Sequence, residues 1–276
     1  MNYFKNKDEL KEKAISHNRE MEQFYSHETL KSIRDSIIID NTKQFLDVRK
    51  VAVEHRKFCG IDSTYGIRLE DTDTVSAIFE MAEFSKRKIA ALNFASFKNP
   101  GGRFLEGSSA QEEMLCHESN LYNILSSDYL LENFYLPNRK RLHNGMYDDN
   151  VIYTPNVVFI RGTNQVKCDI ITCAAPNATT ARRYHKVADD DILGYLNNRI
   201  ASVLYAAALM HVEILILGAF GCGVFGNNPI DVASIFLKYL TTDDFNGVFD
   251  SVYFAVPKGL SSKNYNAFDT VLRGYL

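Results

Sequence analysis

Two adjacent glutamates, Glu112 and Glu113, follow a stretch rich in glycine and serine and open a segment with helical character. A carboxyl group can give up and take back a proton, so each side chain is a candidate general acid or base. Adjacent residues of a helix point about 100° apart, so the two carboxyls cannot both face one scissile bond as a conventional glycosidase pair would. We therefore expect at most one of them to carry the proton.

The residues before the pair favour Glu113 for this role. Ser109 and Glu112 have the spacing of a capping box, and so do Ser108 and Gln111, which would occupy Glu112 at the helix start. A helix N-terminus favours an ionised carboxylate, so an acid at this position needs burial against apolar groups to raise its pKa. The alternative is that Glu113 is a solvated carboxylate on a helix surface.

The loop before the glutamates, Asn93–Gly107, reads NFASFKNPGGRFLEG and follows an apolar strand-like run. Loops between a strand and a helix form the ligand-binding edge of an α/β sheet. Its glycine pair, Gly101 and Gly102, is suited to a sharp bend or to close approach of a ligand, and its polar side chains could contact ribose hydroxyls. A tight surface turn would have the same composition.

A second loop, Gly218–Pro229, reads GAFGCGVFGNNP and also lies between a strand-like run and a helix-like one. Successive backbone N–H groups in such a loop, beside a helix N-terminus, form an anion cradle suited to a diphosphate.

Two nucleotide-binding motifs are only partly matched. The segment Gly221–Gly226 spells G-x-G-x-x-G, but the next strand ends at Ala255-Val256 without the acidic residue that a dinucleotide-binding domain needs. Gly102 and Gly107 have the glycine spacing of a P-loop, but Ser108-Ser109 stands where Lys and Ser/Thr are required. The sequence therefore argues against nicotinamide and nucleoside-triphosphate chemistry, and the anion cradle remains.

Strand-like and helix-like segments alternate along the chain and predict the α/β class, with a mixed sheet flanked by helices. The predicted helices cover residues 7–39, 74–87, 110–125, 189–210 and 230–240. The predicted strands cover residues 51–54, 65–69, 89–94, 151–159, 169–174, 213–217 and 251–256, and residues 126–150 are expected to be irregular. We predict a helical N-terminal extension, residues 1–45, packed on a single structural unit, residues 46–276.

Composition narrows the function classes. Hydrophobic residues make up 46% and charged residues 24%, as in folded proteins, and the net charge of −3 argues against binding to a nucleic-acid duplex. The 5 cysteines include no C-x-x-C pair, which favours a reducing compartment, and Glu113 with His117 is interpreted as a helix pair or a core histidine. We expect no metal, no cofactor and no membrane binding, and a monomer in the cytoplasm or nucleus.

A recognisable pattern connects the first loop and the glutamates. Asn99-Pro100-Gly101-Gly102-Arg103, followed after seven residues by Gln111-Glu112-Glu113, resembles the signature of the microbial-type poly(ADP-ribose) glycohydrolases. Asn93–Ser96, Ala174–Asn177 and Gly218–Asn227 are similar to the strand-end and diphosphate loops of the same family. The resemblance runs in order from about Leu10 to Val256, and the combination is specific although each part is weak.

The resemblance implies a macrodomain-like fold and hydrolysis of the ribose–ribose O-glycosidic bonds of poly(ADP-ribose), with ADP-ribose released and no metal or cofactor. It implies that Glu113 is the catalytic residue, acting as acid and then as base, and that its neighbour Glu112 helps to hold ribose hydroxyls. The partners it implies are poly(ADP-ribose) or ADP-ribosylated macromolecules. The substrate-binding candidates are Asn93, Ser96, Asn99, Gly101, Gly102, Arg103, Gln111, Gly218, Phe220, Gly221, Cys222, Gly223, Val224, Phe225 and Gly226.

One residue departs from the family pattern: Arg103 stands where the family usually has a third glycine. If that position requires a positive φ, an arginine there is strained, and its long cation would lie beside the diphosphate. This leaves open a reader that binds ADP-ribose without cleaving it. Two further functions stay open: a hydrolase that removes single ADP-ribosyl groups, and a nucleotide-binding module unrelated to ADP-ribose.

Overall fold

The computed structural model describes residues 7–40, 48–59, 66–241, 245–259 and 261–276. The strands are β1 Ile37–Asp40, β2 Gly66–Glu70, β3 Ile89–Phe94, β4 Asn150–Arg161, β5 Asn164–Cys173, β6 Ile214–Leu217 and β7 Ser251–Ala255. The helices are α1 Lys7–Phe24, α2 Ser26–Asp35, α3 Val48–Cys59, α4 Thr74–Phe84, α5 Gln111–His117, α6 Leu121–Leu125, α7 Asp128–Leu130, α8 Leu136–Asn138, α9 Ala178–Thr180, α10 Asp189–Leu209, α11 Pro229–Thr241 and α12 Lys263–Leu272. Short 3₁₀ or π turns cover Phe104–Glu106, Leu131–Tyr135, His143–Gly145 and Ala181–His185.

The seven strands form one mixed sheet in the order β1-β4-β5-β3-β6-β7-β2. Strands β5, β3, β6, β7 and β2 run parallel, whereas β4 is antiparallel to both β1 and β5. The predicted α/β class with a mixed sheet is therefore confirmed. Because β3 lies between β5 and β6, the loops that leave the carboxyl ends of these three strands are neighbours at one edge of the sheet.

Helices cover both faces of the sheet. The central position of β3 explains why its sequence is almost continuously apolar. Ala90 and Leu92 face the core on the side of α10 and α11, whereas Ile89 and Ala91 face the core that contains residues of α4, α5 and α6. Side chains alternate between the two faces of a strand, so a strand buried on both faces needs apolar residues at every position. The rigid strand end at Phe94 then carries the first of the two loops.

The N-terminal residues are only partly helical. Leu10, Ala14 and Met21 of α1 are buried against the core, as the helical spacing predicts, but Phe24 and Leu30 are 66% exposed. The prediction of helix to residue 39 is wrong at its end, because Ile37–Asp40 pairs with β4 as an edge strand. Three consecutive β-branched isoleucines favour extended structure there. The predicted domain boundary at residue 45 lies outside the described residues.

Three further element predictions need correction. Residues 51–54 lie inside α3, where Val51, Ala52 and His55 are buried on one face, so this short apolar run belongs to a helix. The stretch 126–150 contains helical turns between residues 128 and 138, and the predicted helix 110–125 is broken between His117 and Leu121. Helix α12 was not predicted. No helix among the described residues has both the length and the apolar character to cross a membrane.

Candidate active site

The glycine pair of the first loop adopts the backbone conformation that only glycine takes up readily. Gly101 has a φ of +63° and Gly102 a φ of +60°. A Cβ on Gly101 would lie 2.7 Å from Tyr122 Cδ2, and a Cβ on Gly102 would lie 2.5 Å from Glu113 Oε1 and 3.0 Å from Glu112 Oε2. The predicted sharp bend is therefore present, the groups that lie close to Gly102 are the two glutamates, and the close approach of a ligand stays a prediction.

Arg103 is not strained. Its φ is −117°, so this position does not need the left-handed conformation of a third glycine. Its side chain is exposed and forms an ion pair with Glu106 in the same turn. Its backbone N–H donates to Glu113 Oε1 at 2.9 Å. The condition for strain at this position is therefore not met, and the backbone of Arg103 orients the candidate catalytic carboxylate.

Helix α5 does not begin with the predicted capping box. Its N-cap residue is Ala110, whose side chain makes no capping hydrogen bond. Glu112 reaches back to the end of β3 instead, where its Oε2 accepts a hydrogen bond from the Ser96 N–H at 2.7 Å and its Oε1 one from Asn93 Nδ2 at 3.4 Å. The loop folds back over β3. The Ser96 N–H and the Asn93 side chain therefore lie next to the first turn of α5.

Gln111 fastens the same helix to the strand. Its Oε1 accepts from the Phe94 N–H at 2.8 Å, and its Nε2 donates to the Leu92 carbonyl at 2.8 Å and to Thr74 Oγ1 at 3.1 Å. Both the oxygen and the nitrogen of its side-chain amide therefore have protein partners. The structure places Gln111 where it positions α5, and its predicted contact with substrate stays a prediction.

Both glutamates are buried, with 4% of Glu112 and 7% of Glu113 exposed. Burial raises the pKa of Glu112 to about 8, because desolvation outweighs the hydrogen bond from the Ser96 N–H and the charge of Glu113 adds to the increase. The Glu112 carboxyl therefore keeps its proton to a higher pH than an exposed glutamate does. The two adjacent carboxyl groups have different hydrogen-bond partners, as in other sites with paired acids.

This raised pKa predicts a pH-dependent stability. The folded protein binds a proton on Glu112 that the unfolded chain releases, so the stabilisation is fully present below pH 4.5 and is lost as the pH rises through about 8. We expect the free energy of unfolding to fall by a few kcal/mol over this window, and to fall markedly less in Glu112→Gln. Urea unfolding at pH 5, 6.5 and 8.5 measures this. The exposed Glu106→Gln serves as the control, and equal pH slopes in wild type and Glu112→Gln would contradict the assignment.

Glu113 has one oxygen in use and one without a partner. Its Oε1 accepts the Arg103 N–H, whereas its Oε2 is screened from solvent and has no hydrogen-bond partner among the described residues. A buried polar atom without a protein partner is costly unless water or a ligand supplies one. A substrate oxygen would be the first partner of Oε2.

The second loop follows β6 and has the features of an anion cradle. Gly221 has a φ of +69° and Gly226 a φ of +68°, and a Cβ on Gly226 would lie 2.3 Å from Thr179 Oγ1. Within the described residues, the consecutive N–H groups of Gly223, Val224 and Phe225 donate to no protein acceptor. Val224 is 85% exposed. The loop therefore presents free backbone donors to solvent, as a diphosphate site requires.

The two loops lie together at the sheet edge. The ring centroids of Phe94 and Phe220 are 5.8 Å apart, and a Cβ on Gly218 would lie 3.0 Å from Phe94 Cζ. Tyr147 packs against both loops. Its ring stacks on Phe97 with the centroids 4.4 Å apart, and its centroid lies 6.2 Å from that of Phe225. The structure thus brings together two loops that lie far apart in the sequence. Tyr147 was missed because it lies in the stretch predicted to be irregular.

A buried arginine supports the segment that carries Tyr147. Arg199 of α10 is fully buried, and it donates to Asp149 Oδ1 at 2.7 Å, to the Met146 carbonyl at 3.0 Å and to the Ala174 carbonyl. These bonds fasten the residues before β4 to the loop after β5. A single arginine within the apolar face of a long helix is the sequence signal that would have indicated it.

The remaining predicted residues shape the loops. Asn99 accepts the Gly102 N–H with its carbonyl at 3.1 Å and donates its own N–H to Ser96 Oγ at 3.2 Å. Burial raises the pKa of the Cys222 thiol to about 12, which leaves it protonated and weakly nucleophilic. His117 packs edge-on against Phe104 at 4.8 Å, and the described part of the chain contains no group of three or more potential metal ligands.

A mixed sheet flanked by helices, with two glycine loops and a buried carboxyl group at one edge, agrees with a macrodomain-like fold. The family described as microbial-type PARG, catalytic domain, matches residues 5–162. The chain belongs to this family, the microbial-type poly(ADP-ribose) glycohydrolases (PARGs).

Solved structures agree with this family. The PARG of Deinococcus radiodurans in complex with ADP-ribose is 32% identical, with a TM-score of 0.80, and the match covers 90% of this chain and 98% of that chain. The PARG of Thermomonospora curvata is 27% identical, with a TM-score of 0.82 and coverage of 96% and 99%. Its structure with the inhibitor ADP-HPD gives 28% identity, a TM-score of 0.80 and coverage of 95% and 99%. No curated protein matches the sequence.

Proposed function

We propose that this protein hydrolyses the ribose–ribose O-glycosidic bonds of poly(ADP-ribose) and releases ADP-ribose, with Glu113 as the proton carrier. The observation that carries the proposal is the state of the Glu113 carboxyl: it is buried beside the loop glycines, and among the described residues only its Oε1 has a partner. Family membership supports the reaction, and the related PARG structures were solved with ADP-ribose or with ADP-HPD.

The two loops divide the binding of one ADP-ribose unit. The free N–H groups of Gly223, Val224 and Phe225 would bind the diphosphate, where backbone donors favour negative charge without a side-chain cation. Gly101 and Gly102, which have no side chains, would let the terminal ribose come close to the glutamates. The sugar is thereby held with its anomeric carbon against Glu113.

Cleavage then needs one acid that becomes a base. Glu113 gives its proton to the departing ribose oxygen, the bond from the anomeric carbon to that oxygen breaks, and its electron pair stays on the leaving oxygen. The positive charge that develops on the sugar is stabilised by the diphosphate and the new carboxylate. Glu113 next takes a proton from water as the water oxygen bonds to the anomeric carbon, which restores the acid.

Glu112 has a supporting role in this proposal. Because burial raises the pKa of its carboxyl, a second negative charge beside Glu113 is disfavoured during the reaction. Its two oxygens are held by Ser96 and Asn93, so its position is fixed before substrate binds. A protonated carboxyl can also donate to a ribose hydroxyl, which agrees with the role that the resemblance implies for it.

The direct test is an assay of the purified chain on adenine-labelled poly(ADP-ribose), beside a protein that carries single ADP-ribosyl groups. We expect free ADP-ribose to appear from the polymer. Release from the mono-modified protein alone would assign the chain to the mono-ADP-ribosyl hydrolases. Tight binding of ADP-ribose in calorimetry without any product would assign it to the readers, although Arg103, the reason for considering a reader, is unstrained and paired with Glu106.

A further inference from the structure

Asn227 lies near the end of the cradle loop, Gly218–Pro229, and no step of the proposed mechanism uses its side chain. Only 4% of this residue is exposed. Its side-chain Nδ2 donates to the Pro176 carbonyl at 2.8 Å and to the Gly221 carbonyl at 3.1 Å. The amide nitrogen carries two hydrogens, so each of these carbonyls can accept one of them.

The bonds of Asn227 close the cradle loop on itself. Its backbone N–H also donates to the Gly221 carbonyl, at 3.1 Å, so the main chain and the side chain of one residue reach the same oxygen. A Cβ on Gly221 would lie 2.5 Å from Asn227 Nδ2. The glycine at residue 221 is therefore what lets the Asn227 amide come this close.

The bond from Asn227 to Pro176 also fastens the cradle loop to the segment that follows β5. A second bond joins the same two segments, because the Thr179 N–H donates to the Phe225 carbonyl at 3.0 Å. That second bond is made by backbone groups, and an ordinary change of side chain leaves it in place. The Asn227 amide is thus a buried side-chain contact through which this support can be tested.

The free donors of the cradle lie within the stretch that Asn227 closes. The Gly223 carbonyl accepts the Gly226 N–H at 3.0 Å, so this peptide group is held at its oxygen. A peptide group is planar and trans, so the N–H of Val224, in the same group, points away from that internal bond. The direction of a free donor is therefore set by hydrogen bonds within the loop, and those of Asn227 span the same residues.

We propose that Asn227 is a positioning residue for the diphosphate: it holds the cradle loop in the conformation in which the N–H groups of residues 223–225 are free to bind the ligand. The inference rests on the proposed function, in which the cradle binds the diphosphate. Without the amide, two carbonyls lose a buried donor, and the loop can leave this conformation. The ligand must then restore the conformation, which weakens binding but leaves the chemistry at Glu113 unchanged.

The test compares Asn227→Ala and Asn227→Asp with the wild type. We expect the Kd for ADP-ribose in calorimetry to rise about tenfold in Asn227→Ala, the usual effect of losing a buried hydrogen bond. The increase should be larger in Asn227→Asp, because a carboxylate has the same shape but cannot donate to the two carbonyls that face it. KM for the polymer should rise in step with Kd, and kcat should stay within about threefold, since the diphosphate contacts are the same before and during cleavage.

Asn197→Ala is the matched control for the loss of an amide hydrogen bond. Asn197 of α10 is partly buried, and its Nδ2 donates to Tyr239 Oη at 2.9 Å. Tyr239 lies near the end of α11 that is remote from the cradle loop. Urea unfolding should show that Asn197→Ala and Asn227→Ala both lose stability, whereas only the substitutions at residue 227 should raise KM and Kd. If Asn227→Asp does not fold, Asn227→Ala decides the test.

The outcomes separate the positioning role from the hydrolase. Unchanged Kd and KM in the Asn227 variants, or a lower kcat at unchanged KM, would overturn the role of Asn227 and leave the proposed hydrolysis standing. An equal rise of KM in Asn197→Ala would also overturn it, because general loss of stability would then explain the effect. A wild-type protein that neither binds ADP-ribose nor releases it from the polymer would overturn the proposed function and this inference together.

Discussion

A Glu113→Gln variant is expected to release ADP-ribose from poly(ADP-ribose) with a kcat about a thousandfold below that of the wild type. Loss of a positioned general acid or base costs about 10² to 10⁴ in rate, and in the proposed mechanism one side chain performs both steps. An amide cannot give up a proton to the leaving oxygen or take one from water. The measurement is the initial rate of ADP-ribose formation at saturating polymer.

The same variant should keep its fold and its ligand. The amide oxygen of the new side chain can still accept the Arg103 N–H, and Oε2 has no protein partner to lose among the described residues. We therefore expect the Kd for ADP-ribose to change by less than about threefold, since the interaction lost belongs to the transition state. The control is Glu106→Gln, an exposed carboxylate in the same loop. Wild-type kcat in Glu113→Gln would assign the proton transfer to another group.

Gly102→Ala is expected to lower kcat/KM for the polymer by about a hundredfold or more. The new Cβ would lie 2.5 Å from Glu113 Oε1 and 3.0 Å from Glu112 Oε2, so both carboxyls or the loop must move. A displacement of about 1 Å at a catalytic group is enough for a rate loss of this size. The decrease in activity should exceed what the loss of stability explains.

Gly162→Ala provides the matched control for this substitution. Gly162 has a φ of +63°, close to the +60° of Gly102, but a Cβ there would meet no described atom within 4 Å. Both substitutions introduce the same left-handed strain, about 1 to 2 kcal/mol, and only the one at residue 102 also introduces a clash with the glutamates. Urea unfolding and kcat/KM measured on both variants separate the two effects. Equal activity of the two variants would show that the clash has no functional consequence.

The contacts of Glu112 and Glu113 show how much of the role of each carboxyl can be predicted from its position in the sequence. Helical geometry separates the directions of Glu112 and Glu113, and the spacing of the capping boxes favours Glu113 as the proton carrier. The contact offered for Glu112 was wrong, however: Glu112 is engaged by Ser96 and Asn93 of β3 and its loop, and not by a capping box. The choice of Glu113 stays a prediction, and it does not depend on the capping box, because the observed contacts also occupy Glu112.

Local features of the sequence determined a large part of this protein. The strand at residues 89–94, the strands near 214 and 251 and the long helix near 189–209 follow from hydrophobic periodicity. The need for glycine at residues 101 and 102 and the cradle loop follow from the backbone conformations that these residues permit. Each of these depends on neighbours along the chain, which the sequence displays directly.

Contacts between distant segments were decided only by the tertiary structure. The free oxygen of Glu113, the stacking of Tyr147 on Phe97 and the buried bonds of Arg199 all depend on segments that lie far apart in the sequence. Short segments such as Ile37–Asp40 and residues 51–54 were mispredicted for the same reason. A side chain's partners, burial and pKa are set by what packs against it, and that is not encoded in local spacing.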